Sequence, residues 1–325
     1  MLNALNAAWN SELTPDELER VRELLLDARH TDGWPEVPAD GPLPGEFRGG
    51  LHLLASKPED RSGALAGYAH LDTAGDAFGR QVAELVIRPA LRRGGLGTAV
   101  LEAVLERAEL PAGPGDRLRV WSHGDHPGAA RLAGRFGFTR ARELLRMRLD
   151  FEKAPPLPEL ASPEGVRIDR FRPGVDEPEV IAVNAKAFDW HPEQGALTVE
   201  DLRATEKEDW FDPNGFFLAR ARLSGSAEKP SNTAGERVVG FHWTKVHPAG
   251  EDTDEPVGEV YVVGVDPDAQ GGGLGKVLTL AGLRYLAEAG LRQVILYVEG
   301  DNQPAIAVYR RLGFEQWDIG VQYAR

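Results

Sequence analysis

The stretch Val265-Asp266-Pro267-Asp268-Ala269-Gln270-Gly271-Gly272-Gly273-Leu274-Gly275 decides the fold. An apolar run at 259–265 ends in a proline turn, and three glycines open a segment in which Leu274, Val277, Leu278 and Ala281 recur at helical spacing. Strand, glycine turn and amphipathic helix in that order set a helix N-terminus at the exit of a strand. There the first backbone N–H groups have no intrahelical partner and the helix dipole favours an anion. Glycines let the main chain come close to a pyrophosphate. The same arrangement occurs earlier, as Ile87-Arg88-Pro89-Ala90-Leu91-Arg92-Arg93-Gly94-Gly95-Leu96-Gly97, with Leu96, Ala99, Val100 and Ala103 in phase behind it. Pro89 and Pro267 are 178 residues apart, too long a period for a solenoid, so the chain is read as a duplicated domain. A second echo, Phe136-Gly137-Phe138 against Leu312-Gly313-Phe314, supports the duplication.

Working outward, Thr14-Pro15-Asp16-Glu17 predicts a capped helix whose apolar face is Leu18, Val21, Leu25 and Ala28. Strands are predicted at 51–55, 65–71, 82–87, 117–122 and 144–149, with helices from 96 and over 129–135. The prolines of 153–158 and 162–163 cannot continue a helix or a central strand and predict a stiff linker. Beyond it a strand at 166–171, a helix near 178–187 and strands at 216–221, 237–247 and 259–265 are expected, with polar loops at 224–236 and 248–256. The expected division is a domain over 1–152, a linker over 153–164 and a domain over 165–325.

The chain has 325 residues, no cysteine and a formal net charge of −14. That charge speaks against a general nucleic-acid binder, which needs a basic footprint. Without cysteine there are no disulfides, thiolate metal sites or thiol nucleophile. No N-terminal signal pattern and no apolar stretch of membrane-spanning length is visible, so a cytoplasmic protein is expected. His123, His126, His242 and His247 repeat no known ligand spacing, and no metal is expected.

Two other phosphate loops can be tested. A Walker loop would need a hydroxyl residue after Lys276, where Val277 stands. A dinucleotide-binding fingerprint would need a crossover unit after its acidic residue, but Glu299 leads into Gly300-Asp301-Asn302.

The glycine loop followed by Asn302-x-x-Ala305-x-x-x-Tyr309-x-x-Leu312-Gly313-Phe314 resembles the GCN5-related N-acetyltransferase (GNAT) superfamily, and the resemblance covers the chain as two tandem domains. It implies an α/β fold (α+β mixed sheet), each domain a mostly antiparallel sheet flanked by helices, and acetyl-CoA as co-substrate. More narrowly, His191-Pro192-Glu193-Gln194-Gly195, Trp210-Phe211-Asp212-Pro213, residues 240–247 and residues 259–265 are similar to tandem members that acetylate the cysteinyl amine of cysteinyl-glucosaminyl-inositol.

By that resemblance, Glu259 accepts the amine proton or holds the ammonium, and Tyr309 protonates the departing thiolate. The coenzyme is expected against Val263, Gly264, Val265, Gln270, Gly271, Gly272, Gly273, Leu274, Gly275 and Lys276, and under Asn302, Gln303, Pro304, Ala305, Ile306 and Ala307. In the first domain it is expected against Leu85, Val86, Ile87, Arg93, Gly94, Gly95, Leu96, Gly97 and Thr98. Substrate contacts are expected from Glu46, Glu193, Lys245, Glu259 and Tyr297. Matching the two copies sets Gln81 opposite Glu259, Ala133 opposite Tyr309 and His126 opposite Asn302, so the first domain is expected to bind acetyl-CoA without turning it over. Trp210 and Trp243 are expected in the core or a pocket wall. The alternatives are a tandem acetyltransferase for another small amine or a protein N-terminus, and a non-catalytic acyl-CoA sensor. A monomer is expected, because a duplicated chain can satisfy internally the pairing that single domains achieve as dimers.

Overall fold

The computed structural model describes residues 5–325 apart from 34–36, 38–40, 42, 60–62, 77, 109–116, 192–193, 223–234 and 250–254. The loops expected at 224–236 and 248–256 lie largely outside the described residues. Two compact units are present, one made of Met1–Leu145 with Asp318–Arg325, the other of Arg146–Trp317.

Unit 1 contains β1 (Asn6–Asn10), α1 (Pro15–Asp32), β2 (Leu51–Ser56), β3 (Gly67–Asp72), β4 (Gln81–Ile87), α2 (Leu96–Arg107), β5 (Leu118–His123), α3 (Pro127–Arg135) and the first part of β6 (Thr139–Asp150). The Thr14 hydroxyl accepts from the Glu17 N–H while the Glu17 carboxylate accepts from the Thr14 N–H, so α1 starts at the predicted capping box. The sheet order is β1-β2-β3-β4-β5, and β5 then pairs with residues 320–324 of the last strand, β12 (Glu315–Ala324). The β1–β2, β2–β3, β3–β4 and β5–β12 pairings are antiparallel, and β4–β5 is parallel. α2 closes one face over Leu53, Ala69, Ala83 and Leu118, and α1 closes the other over Leu54, Tyr68 and Val86.

Unit 2 contains β7 (Val166–Arg170), α4 (Glu177–Ala187), α5 (Val199–Thr205), β8 (Phe216–Ala221), β9 (Arg237–His247), β10 (Val257–Val265), α6 (Leu274–Glu288), β11 (Gln293–Glu299) and α7 (Gln303–Arg311). Its order is β11-β10-β9-β8-β7, antiparallel except β10–β11. Phe217, Ala219 and Val239 pack on Leu274, Leu278 and Ala281 of α6, while Phe216, Leu218, Phe241 and Trp243 pack on the α4 and α5 side. Residues 146–150 of β6 belong to this unit, where the Phe151 N–H donates to the Arg292 carbonyl.

The units therefore differ from a division at 152. Residues 318–325 sit in unit 1 because β12 continues the β5 ladder and buries Val321 and Tyr323 in that unit's core. Alternating residues in 315–324 mark a strand, but they carry no signal for which sheet it joins.

Gly282, inside α6, is required by packing. A Cβ there would lie 2.1 Å from Cε1 and 2.4 Å from Nδ1 of His242, and 2.8 Å from Cγ2 of Thr244. The His242 ring cannot swing away, because it is fully buried and its Nδ1 lies 2.8 Å from the Leu278 carbonyl. Replacing glycine by alanine within a helix ordinarily stabilises by about 1 kcal/mol. Gly282→Ala is instead expected to destabilise by roughly 1–3 kcal/mol through overpacking. Denaturant unfolding measures this, and the double variant with His242→Ala should lose less than the sum of the two single changes.

Candidate active site

Each unit carries the same opening in its sheet. In unit 2 the parallel β10–β11 pairing runs from Val257↔Gln293 to Val260↔Leu296 and no further. In unit 1 the β4–β5 pairing runs from Gln81↔Leu118 to Glu84↔Trp121. Past those rungs, among the described residues, Val263 to Val265 and Leu85 to Ile87 have no partner on the parallel side, which leaves main-chain groups available to a ligand.

The glycine loops stand at the ends of these free segments. Gly273 is the N-cap of α6 at φ +78°, and Gly95 is the N-cap of α2 at φ +88°; neither helix has a side-chain cap. A left-handed residue at this point turns the chain so that the first helical N–H groups stay uncovered. A Cβ at Gly271, Gly272, Gly273 or Gly95 would meet nothing within 4 Å, so the space beside the loop is open. Gly271 sits at φ +95°, and its counterpart in unit 1 is Arg93 at φ +65°, a conformation that costs a side-chain-bearing residue about 1 kcal/mol or more.

The residue leading each loop is a brace. Arg92 Nε donates to the Ile87 carbonyl at 3.0 Å and its guanidinium forks onto Asp32, while Gln270 Nε2 donates to the Val265 carbonyl at 3.4 Å. Gly264 is fixed by packing, since a Cβ would press on Phe241 at 2.6 Å. Leu274 is buried and Lys276 exposed on the first turn of α6.

In unit 1 the opening continues into a cavity of about 540 Å³. Leu85, Val86, Ile87, Arg93, Gly95, Gly97 and Thr98 line it, together with His126 and Ala133; Gly94 of the loop and Leu96, the first residue of α2, lie outside its wall. α3 and α7 are both nine-residue helices, N-capped by the side chains of His126 and Asn302 respectively. Ala133 and Tyr309 occupy the same step of these helices, so the cavity wall is an alanine where unit 2 has a buried tyrosine.

In unit 2, Glu259 is a buried residue one rung before the strands part. It lies opposite Lys245 in the β9–β10 register. Lys245 Nζ sits 4.5 Å from the Trp210 ring centre and 5.4 Å from that of Tyr261, a cation held by aromatic faces. Trp243 stacks on Trp210 at 5.5 Å, which makes both rings the wall of this site. A β-bulge between Val260 and Val262 projects Tyr261 here, and burial followed by the Glu259 charge raises its hydroxyl pKa. The bulge also alters the match between copies. Counted along the pairing rungs, Glu259↔Lys245 corresponds to Val82↔Asp72, so Val82 stands opposite Glu259, where straight counting gave Gln81. Valine, like glutamine, cannot take a proton.

Tyr309 lies on α7, edge-on to Phe314 at 5.8 Å, and burial pushes its pKa up to about 12. The Asn302 side chain accepts from the Ala305 N–H at 3.2 Å, and Gln303 Nε2 donates to the Gly300 carbonyl, so both order the start of α7. Pro304 and Ala307 are exposed there and Ile306 is buried. Tyr297, on β11 past the last shared rung, lies under the Arg146 guanidinium at 5.5 Å. Glu46 is exposed on a 3-10 turn of unit 1. Glu193 lies outside the described residues.

The sequence reading takes up His247 only as a metal-ligand candidate. Its Nε2 lies 2.6 Å from Oε2 of Glu259. The available signal was its position two residues after Lys245 on a strand, and therefore on the same face.

Among the described residues no helix is long and apolar enough to cross a membrane. No group of three or more His, Asp or Glu among them could hold a metal ion.

Two splayed sheets with a glycine loop opening a helix define tandem acetyltransferase domains. The Acetyltransferase (GNAT) family description matches residues 18–138 and 184–314, and the chain belongs to this family of acetyl-transferring enzymes. It is 62% identical over 323 residues to the "Mycothiol acetyltransferase" of Saccharomonospora viridis, covering 98% of this chain and 99% of that one. With the protein of the same name from Amycolatopsis mediterranei it shares 55% over 319 residues, covering 98% of each. Among solved structures, the fold matches a GCN5-related N-acetyltransferase from Sphaerobacter thermophilus (TM-score 0.71, 21% identity, 98% of this chain and 95% of that one). It also matches a tandem GNAT protein from the clavulanic acid biosynthesis pathway (TM-score 0.62, 19% identity, 99% and 98%). The tandem fold read in the sequence is thereby borne out.

Proposed function

We infer that the chain transfers the acetyl group of acetyl-CoA to the cysteinyl amine of cysteinyl-glucosaminyl-inositol, giving mycothiol and coenzyme A. The full-length identity to relatives named mycothiol acetyltransferase supports this substrate. The observation that carries the chemistry is the buried carboxylate of Glu259 beside the rung where β10 and β11 part. It takes the proton of the attacking ammonium. As the amine N–C bond forms and the thioester C–S bond breaks, the Tyr309 hydroxyl gives its proton to the sulfur, and the phenolate is restored by the second proton that the nitrogen sheds on becoming an amide. A main-chain N–H of 263–265 on the side away from β9 steadies the developing oxyanion, and the uncapped start of α6 receives the pyrophosphate. Lys245 and Tyr297 face the polyol part of the acceptor. The reaction belongs in the cytoplasm, where acetyl-CoA is supplied, and is carried out by a monomer.

Thiol release from acetyl-CoA tests this, measured with cysteinyl-glucosaminyl-inositol beside a panel of other amines and peptides. Turnover restricted to the cysteinyl glycoside is expected; turnover with a peptide N-terminus alone would overturn the substrate.

Unit 1 is proposed to hold acetyl-CoA without turnover, because Val82 and Ala133 replace the base and the acid while the loop and the cavity remain. Calorimetry should find two coenzyme equivalents per chain, falling to one in Gly95→Asp, whose carboxylate would face the phosphates. Two equivalents retained in that variant would show that unit 1 is not a coenzyme site.

A further inference from the structure

A buried base has to return its proton to water before the next turnover. Glu259 is 6% exposed, so the route from its carboxylate matters. His247 supplies one. The register sets Lys245 opposite Glu259 and His247 opposite Val257, which places the imidazole diagonally from the carboxylate on the same face of the sheet. The side chain of His247 is 32% exposed against 8% for that of Glu259, with 2.6 Å between Nε2 and Oε2. The pair therefore runs from the dry side of the site to the wet edge of β9.

The other groups on this face do not offer that route. The Lys245 ammonium rests on Trp210 and Tyr261, and an ammonium has no lone pair to accept a proton. The Tyr261 hydroxyl is held protonated by burial and by the Glu259 charge. From β11, Ile295 stands opposite Glu259 and has no proton to exchange. An imidazole is the side chain whose two nitrogens can take a proton on one side and release one on the other near pH 7.

We propose that His247 is a positioning residue that orients the Glu259 carboxylate and carries its proton to solvent. The proposal rests on the assignment of Glu259 as base. The amine N–H breaks as a Glu259 O–H forms; that O–H breaks as His247 Nε2–H forms; and the imidazolium loses its Nδ1 proton to water. The ring then holds the ionised carboxylate through Nε2–H until water exchanges the tautomer.

The test compares His247→Gln, His247→Ala and Glu259→Gln in the full chain. Gln keeps an N–H donor for the carboxylate but cannot relay a proton, so His247→Gln is expected to lose about tenfold to a hundredfold in kcat. KM for both substrates should stay within about threefold, and melting temperature should be nearly unchanged. The acid limb of its pH–kcat profile should move, and added imidazole should restore part of the rate in His247→Ala. In the coenzyme-free protein, the NMR signals of the His247 ring should move when Glu259 is replaced by Gln, because the 2.6 Å contact changes partner. Wild-type kcat and pH profile in His247→Gln, with Glu259→Gln inactive, would overturn the relay and leave the base in place. Near wild-type activity in Glu259→Gln would remove the base itself, and the relay with it. If His247→Ala does not fold, His247→Gln and the ring signals decide the matter.

Discussion

Tyr309→Phe is expected to lower kcat on the order of 10²- to 10³-fold, the usual contribution of a positioned general acid. The phenyl ring keeps the edge-on contact with Phe314, and α7 keeps its Asn302 cap, so the coenzyme cradle is not disturbed. Coenzyme affinity, measured by calorimetry, should therefore change by no more than about threefold. The cost in stability should be about 1 kcal/mol or less, the scale of one hydroxyl's interactions. The pH dependence has a definite sign. A general acid works in its protonated form, and burial raises the Tyr309 pKa to about 12, above its ordinary value of 10.0. The raised pKa keeps the donor form fully populated through the neutral and mildly alkaline range, so any alkaline fall in kcat below about pH 10 has to come from another group. Equal loss of kcat and of coenzyme binding in the Phe variant would make Tyr309 a packing residue and nothing more.

The parts of this molecule that local pattern governs were open to reading, and the parts that depend on pairing were not. The capping box at Thr14 and Glu17, the strands at 216–221 and 237–247 and the two glycine loops follow from spacing along the chain, and the structure has them where the spacing puts them. The helix α5 was missed although Thr198 and Asp201 form a capping box of their own. Seven residues give too few turns for a periodic signal. The bulge at Tyr261 is invisible to counting, because a bulge is a property of two strands together. That is why the copy of Glu259 was placed at Gln81 and not at Val82. The bracing of Arg92 escapes local pattern for the same kind of reason: its partner, Asp32, is 60 residues away in sequence. His247 was weighed only as a metal ligand. Its role beside Glu259 depends on which β9 residue lies opposite which β10 residue, and that register is set by tertiary pairing.

Glu259→Gln is the second substitution expected to have a large effect, and its pH dependence separates a base from a binding carboxylate. Gln has nearly the same shape and still accepts a hydrogen bond from His247, so the local packing of β9, β10 and Tyr261 should survive. It cannot take a proton at any relevant pH. At pH 7 the loss in kcat/KM is expected to be on the order of 10²- to 10³-fold, since an α-amine with an ordinary pKa near 7.7–8.0 arrives mostly as ammonium. As pH rises to about 9 the substrate deprotonates in solution and the need for an internal base diminishes. The variant's rate should climb through this range after the wild-type rate has levelled, which narrows the gap. A carboxylate that merely held the ammonium predicts a loss that sits in KM with kcat nearly intact, and a gap that closes because the wild-type kcat/KM falls as the ammonium disappears, not because the variant climbs. Measured kcat/KM between pH 6 and pH 9 for the two proteins therefore distinguishes the roles. A gap below about tenfold at pH 7 would leave Glu259 outside the chemistry altogether, whatever the burial of its carboxylate suggests.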